Sequence, residues 1–117
     1  MEREIIFYTT QTGNCPVAKF IRDQDDKTAA KITATLEHLE ETKQPTHHLF
    51  QKMSGTDDLW EVRVKQAGNI YRLLGFFDGQ KLIILTSAFQ KKTQKTPRQE
   101  IKTAEARKAD YYQQKGS

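Results

Sequence analysis

The chain has 117 residues, of which 36% are hydrophobic and 29% are charged, and its net charge is +4. Its single cysteine, Cys15, excludes an internal disulfide framework, and no apolar run approaches the roughly 18 residues that a membrane span needs. The N-terminal residues lead directly into a strand pattern, so we expect no signal peptide. These features predict one cytoplasmic domain over residues 1–117, long enough to bury its own core.

The positive charge is concentrated at the C-terminal end of the chain. Residues 90–117 carry 8 Lys and Arg against 3 Asp and Glu, a net of +5, whereas residues 1–89 carry 11 against 12, a net of −1. Such an excess favours a phosphate-bearing partner for this region. A basic terminal helix can equally be a solvated surface, so the charge distribution alone leaves both interpretations open.

The first third of the chain predicts one strand followed by two helices. Residues 5–8 are apolar and read as a short strand, and Pro16 fits the first turn of a short helix. Asp25 or Asp26 can cap a longer helix. Its apolar residues recur at helical spacing and form one core-facing stripe of Ala29, Ile32, Leu36 and Leu39.

The histidines give no metal-binding pattern. His38 and the adjacent pair His47 and His48 have no cysteine, no HExxH spacing and no carboxylate cluster near them in sequence. We therefore expect no metal and no cofactor.

Two β-hairpins are predicted between residues 59 and 90. The Asp78-Gly79 pair lies between apolar β-forming runs, a strong signal for a type I′ turn, in which both central residues have positive φ. Ala67-Gly68 is a weaker version of that signal. If both turns contain two residues, the first hairpin pairs Arg63 with Arg72, Val62 with Leu73, and Trp60 with Gly75.

This register places two guanidinium groups side by side on one face of the sheet. Like charges that are directly opposed destabilise an antiparallel pair, and arginine cannot relieve the repulsion by losing its proton. Either a bound polyanion or a carboxylate of the protein lies between them, and Glu61, two residues from Arg63 on the same face, is the internal candidate. A register slip of one residue would separate the two arginines.

A basic segment leads from the last strand into a final helix. Thr96 is a good N-cap and Pro97 a good first helical residue. The element order β-α-α-β-β-β-α predicts an α+β domain with an antiparallel sheet of about four strands and helices packed on it.

Four stretches, taken together and in this order, resemble the RelE/HigB/ParE toxin superfamily, and most closely its phage-derived HigB-like branch. They are residues 59–64 (LWEVRV), 69–74 (NIYRLL), 76–79 (FFDG) and 89–97 (FQKKTQKTP). The resemblance implies a RelE-like fold and the toxin of a type II toxin–antitoxin pair. Such a toxin is typically a metal-independent, ribosome-associated endoribonuclease that cleaves mRNA, inhibits translation and is held inactive by a helix-turn-helix (HigA-like) antitoxin.

The resemblance also implies the site. It places catalytic cations at Arg63, Arg72, Lys91 and Lys92, and RNA contacts at Lys65, Thr93, Lys95 and Arg98. Many relatives have a Tyr, His or Asp after the last strand for proton transfer, whereas residues 90–96 here contain only Lys, Thr and Gln. The general base is therefore unassigned.

Two other functions fit the same resemblance. A ParE-like protein would poison a DNA topoisomerase without being an enzyme, and would use helix surfaces in place of the arginine face. A phage-derived protein without activity would only bind RNA or a protein partner.

Overall fold

Five strands form one mixed sheet, with two helices on one face and a third helix on the other. The computed structural model describes residues 1–92 and 95–116. The elements in chain order are β1 (Glu4–Phe7), α1 (Pro16–Arg22), α2 (Asp26–Glu41), β2 (Phe50–Lys52), β3 (Trp60–Gln66), β4 (Asn69–Asp78), β5 (Leu82–Lys91) and α3 (Arg98–Lys115). Among the described residues, no helix combines the length and the apolar character needed to cross a bilayer.

The α+β class is confirmed, but the prediction of about four antiparallel strands is wrong in two respects. The strand order is β1-β5-β4-β3-β2, and β1 pairs with β5 in parallel. Parallel neighbours need a long connection, which the chain between β1 and β5 provides, and no local pattern encodes that choice of partner. The fifth strand, β2, is only 3 residues long, too short for alternation to reveal it.

The β3–β4 hairpin has the predicted register. Gln66 pairs with Asn69 across a two-residue turn, and both turn residues, Ala67 and Gly68, have positive φ (52° and 79°). The second hairpin forms as expected, but its turn is not the two-residue Asp78-Gly79 turn. Asp78 pairs with Leu82 and the loop has three residues, 79–81, so Asp78 ends β4 instead of lying within the turn.

The two faces of the sheet carry separate cores. Alternate residues of a strand point to opposite faces, so Leu73 and Leu74 belong to different clusters. The larger core joins the sheet to α1 and α2, with Val17, Ile32, Leu36, Leu39, Val62, Val64 and Leu73 among its buried members. Two smaller clusters lie under α3 and include Leu59, Leu74, Phe89 and Ala104 in one, and Tyr8, Phe76 and Ile84 in the other.

The helix caps differ in how well they were predicted. Asp25 caps α2, where its carboxylate accepts a hydrogen bond from the backbone N–H of Thr28 at 2.7 Å. The predicted cap of the last helix is wrong, because Pro97 occupies the N-cap position and α3 begins at Arg98. The hydroxyl of Thr96 donates to the Glu61 carboxylate instead, at 3.2 Å.

Candidate functional site

Arg63 and Arg72 lie directly opposite each other in the β3–β4 pair. Their neighbours Val62 and Leu73 face the larger core on the α1–α2 side, so strand alternation puts both arginines on the face that carries α3. The predicted juxtaposition of two permanent positive charges is therefore confirmed. It requires compensation by a negative charge.

Glu61 supplies part of that compensation. Its side chain is 4% exposed and forms an ion pair with Arg72, whose side chain is 11% exposed. The same carboxylate accepts hydrogen bonds from Thr96 Oγ1 at 3.2 Å and from Gln51 Nε2 at 3.5 Å. The internal carboxylate expected from the sequence is thus the counter-ion of Arg72, while Arg63 forms no ion pair with any residue that the structure describes.

Both arginines keep an unused donor in the interior of the cluster. The Nε atoms of Arg63 and Arg72 are buried and have no hydrogen-bond acceptor within the described part of the chain. Buried polar groups are nearly always hydrogen-bonded, because a buried group without a partner loses its hydrogen bonds to water and gains none within the protein. Two unpaired guanidinium N–H groups on one sheet face are therefore suited to an anion from outside the protein.

Lys91 completes the cluster from the end of β5. It pairs with Ile70, two residues along from the Arg72–Phe89 pair, so it shares the face of Arg72. Partial burial lowers the pKa of Lys91. The charge of Arg72 lowers it further, Glu61 opposes this, and Arg63 adds to the lowering. A lysine in this environment gives up its proton more readily than an ordinary surface lysine.

The other predicted site residues are not drawn into this cluster. The structure gives exposed side chains at Lys65, Lys92, Lys95 and Arg98. Lys65 follows Arg63 by two residues on the same strand, and the other three belong to the exit from β5 and the start of α3. Thr93 lies outside the described residues. The cations that come together are therefore Arg63, Arg72 and Lys91.

The sequence did not reveal two partners of Glu61. Gln51 belongs to β2, which was not predicted, and Thr96 was assigned to a helix cap. The only signal for Thr96 was its position, since it follows the basic segment and precedes the helix that packs on the arginine face. In residues 1–92 and 95–116, no group of three or more His, Cys, Asp or Glu side chains is placed to hold a metal ion.

One comparison with known proteins gives a family. Residues 19–109 match a protein-family model described as phage-derived protein Gp49-like, and this range contains β2 to β5 with the whole cationic cluster. That family belongs to the clan of RelE/HigB-like toxins. No curated protein matches the chain at a significant level.

Proposed function

The chain belongs to the phage-derived Gp49-like family, and from this premise we propose that it is the toxin of a type II toxin–antitoxin pair that cleaves mRNA. The observation that carries the proposal is the meeting of Arg63, Arg72 and Lys91 on one sheet face, with two buried guanidinium N–H groups unpaired. In this proposal the protein is a metal-independent endoribonuclease of the HigB-like branch, acting on ribosome-bound message in the cytoplasm.

The arginines provide charge and orientation for a phosphodiester. Cleavage of RNA by its own 2′-hydroxyl requires that this oxygen attack phosphorus in line with the departing 5′-oxygen, and negative charge then builds on the phosphorane oxygens. Hydrogen bonds between guanidinium groups and phosphate oxygens are charge-assisted and short. Arg63 and the unused edge of Arg72 hold the phosphate from two neighbouring strands.

Proton transfer falls to Lys91 and Glu61. The Lys91 ammonium donates a proton to the departing 5′-oxygen, for which its lowered pKa suits it. The Glu61 carboxylate accepts the proton of the 2′-hydroxyl, and one oxygen becomes available when the Thr96 hydroxyl leaves it. The bond from the 2′-oxygen to phosphorus forms as the bond to the 5′-oxygen breaks, leaving a cyclic phosphate.

The proposed partners are those that the resemblance to RelE/HigB-like toxins implies. In this proposal an antitoxin with a helix-turn-helix DNA-binding domain keeps the toxin inactive, and the ribosome presents the message to it. A ribosome that orients the RNA would leave the protein mainly the task of stabilising charge. That division of labour is consistent with a site built from three cations and one carboxylate.

A second candidate function is RNA binding without cleavage. The observation in its favour is that Glu61 already neutralises Arg72 within the protein. In that case the cluster would attract phosphate through Arg63 and Lys91 but would lack a free carboxylate for proton transfer.

Induction in a bacterial host separates these functions. Primer extension on cellular mRNA should give new 5′ ends soon after induction of the wild-type protein, and Arg63→Gln should abolish them. Arg22→Gln, which removes an exposed arginine of α1, is the matched control and should cleave normally.

Growth arrest with intact mRNA and a DNA-damage response would show a topoisomerase poison instead. Intact mRNA with retained RNA binding would show the non-cleaving alternative.

A further inference from the structure

We propose that a basic groove between α2 and the open edge of β3 binds the single-stranded RNA that continues from the phosphate held by Arg63, and this inference rests on the proposed function. The groove has a volume of about 400 Å³, within the usual range of roughly 300–1,000 Å³ for ligand pockets. The histidine and basic residues that line it come from α2, the loop before β2 and β3 itself. They are Lys31, His38, His48, Arg63 and Lys65.

The helix contributes one continuous stripe to the groove. Lys31, Thr35 and His38 are separated by four and three residues, a spacing that aligns side chains along one side of an α-helix. Lys31 and His38 are exposed, so both can reach a ligand without rearrangement of the core. Behind this stripe, the buried residues Ile32 and Leu39 anchor α2 to the sheet.

The opposite wall is the part of the β3 edge beyond Val62, where the pairing with β2 has ended and no other described strand takes its place. The backbone N–H of Arg63 donates to the carbonyl of Leu49 at 2.9 Å, and the chain turns away before that point. Lys65 lies two residues further along β3, and its backbone N–H points to the same side as that of Arg63. A backbone N–H at a strand edge that faces no other strand, next to lysine and arginine residues, is well suited to bind a phosphate.

The charge of the groove selects an anion, and its histidines favour RNA. No Asp or Glu is among the described residues that line it, whereas Lys31, Arg63 and Lys65 are. His38 and His48 add flat rings on which an unstacked base can lie, as aromatic and histidine side chains do in single-stranded RNA recognition.

The groove is also continuous with the proposed cleavage site. Arg63 belongs to both: its side chain lies with that of Arg72 on the α3 face of the sheet, and the residue also lines the groove at the strand edge. A strand of RNA with one phosphate at the arginine pair can therefore pass over the edge of β3 and place its neighbouring nucleotide against α2. The exposed Lys65 side chain lies beside that path.

Fluorescence polarisation with a non-cleavable probe tests the groove separately from cleavage. The probe is a labelled single-stranded RNA of about ten nucleotides with 2′-O-methyl riboses, a length within the site sizes of single-strand binders. The test variant combines Lys31→Gln, His38→Gln and His48→Gln. The control variant combines Lys81→Gln and His47→Gln. It removes an exposed lysine and the exposed histidine that precedes His48, and neither residue is among those that line the groove.

We expect the groove variant to bind the RNA at least about tenfold more weakly than the wild type. The slope of log affinity against log salt concentration should become less steep by about 0.7 for each phosphate that the variant no longer neutralises. The control should bind like the wild type. Unchanged RNA affinity of the groove variant would overturn the inference. The inference would also be overturned if a labelled acidic peptide with the same net charge as the RNA probe occupied the groove in preference to RNA. The groove would then be a protein-binding surface.

Parallel cleavage assays keep the two proposals distinguishable. If the groove variant binds the probe normally while Arg63→Gln no longer cleaves RNA, the groove fails and the proposed function stands. If the groove variant loses RNA affinity but the wild-type protein cleaves nothing, the groove stands as an RNA-binding surface and the nuclease function fails.

Discussion

Arg72 donates a hydrogen bond to the buried carboxylate of Glu61, so the central cation of the proposed site is neutralised within the protein itself. This ion pair explains how the β3–β4 hairpin tolerates Arg63 directly opposite Arg72. It also makes Arg72 a structural residue as well as a candidate catalytic one. Loss of activity after substitution of Arg72 alone would therefore not separate the two roles.

A double-mutant cycle measures the ion pair. Arg72→Met leaves the Glu61 carboxylate buried without its partner and should lower the free energy of unfolding by about 3–5 kcal/mol. Adding Glu61→Gln removes the stranded charge and should restore most of that loss. Urea unfolding of the wild type, both single variants and the double variant gives the coupling energy. Strictly additive effects would mean that the two side chains do not interact.

Lys91 should matter far more to cleavage than its neighbour. Lys91→Gln removes a half-buried ammonium beside Arg72 and should slow RNA cleavage by about 10²-fold or more, the usual effect of losing a proton donor or a charge-stabilising group. Lys92→Gln removes an exposed charge and should slow it less than about fivefold, because such a charge contributes about 1 kcal/mol at most. Single-turnover cleavage rates compare the two, and equal losses would contradict the assignment.

Two tyrosine hydroxyls that form hydrogen bonds at the C-terminal half of α3 should make the protein less stable at alkaline pH. Burial, together with hydrogen bonds to Asp110 and Asp78, raises the pKa of Tyr8 and of Tyr111 to about 12, from 10.0. Between pH 10 and about pH 12, the tyrosines of the unfolded chain have lost protons that those of the folded chain still bind, so the free energy of unfolding falls as pH rises.

The double variant Tyr8→Phe, Tyr111→Phe isolates this effect. It should be less stable than the wild type near neutral pH because the hydrogen bonds at 2.5 Å and 2.7 Å are removed. The difference in the free energy of unfolding should shrink as pH rises from about 10 to about 12. Urea unfolding at several pH values measures this difference. A constant difference would show that these two phenols do not titrate as the structure implies.

Gly75 should tolerate no side chain. It pairs with Trp60, and a Cβ built on it would meet the backbone carbonyl oxygen of Ile84 on β5, which cannot move aside. Gly75→Ala should cost about 3 kcal/mol or more, the upper end of overpacking effects. Gly79→Ala is the control, because its added Cβ meets no atom within 4 Å and only its positive φ of 83° imposes strain, about 1–2 kcal/mol. Similar free energies of unfolding for both variants would refute the steric argument.

Local patterns predicted the parts of this fold that short-range chemistry decides. The Ala67-Gly68 turn sets the register of the β3–β4 hairpin, and that register correctly paired Arg63 with Arg72. The parallel pairing of β1 with β5 could not be predicted in this way, because the two strands are joined only through the rest of the fold. β2 was missed because its three residues carry too little periodicity.

In the candidate site, too, local sequence predicted some contacts, whereas others depend on the tertiary structure. Glu61 was placed beside the arginines from its position on β3, since alternate residues share a face. The hydrogen bond from Thr96 to that carboxylate was not predicted, because Thr96 before Pro97 also has the pattern of a helix cap. The groove beside β3 depends on how α2 packs against the strand edge, a tertiary arrangement that periodicity alone does not specify.

Translation in a cell-free extract, with the ends of the message mapped, tests the central claim most directly. Purified wild-type protein should stop translation and leave new 5′ ends within the coding region, whereas folded Arg63→Gln and Lys91→Gln proteins should leave the message intact. A folded wild-type protein that cuts no message in the translating extract would contradict the account. Undiminished cutting by both variants would equally contradict it, because the cationic face of the sheet would then not be the place where RNA is cleaved.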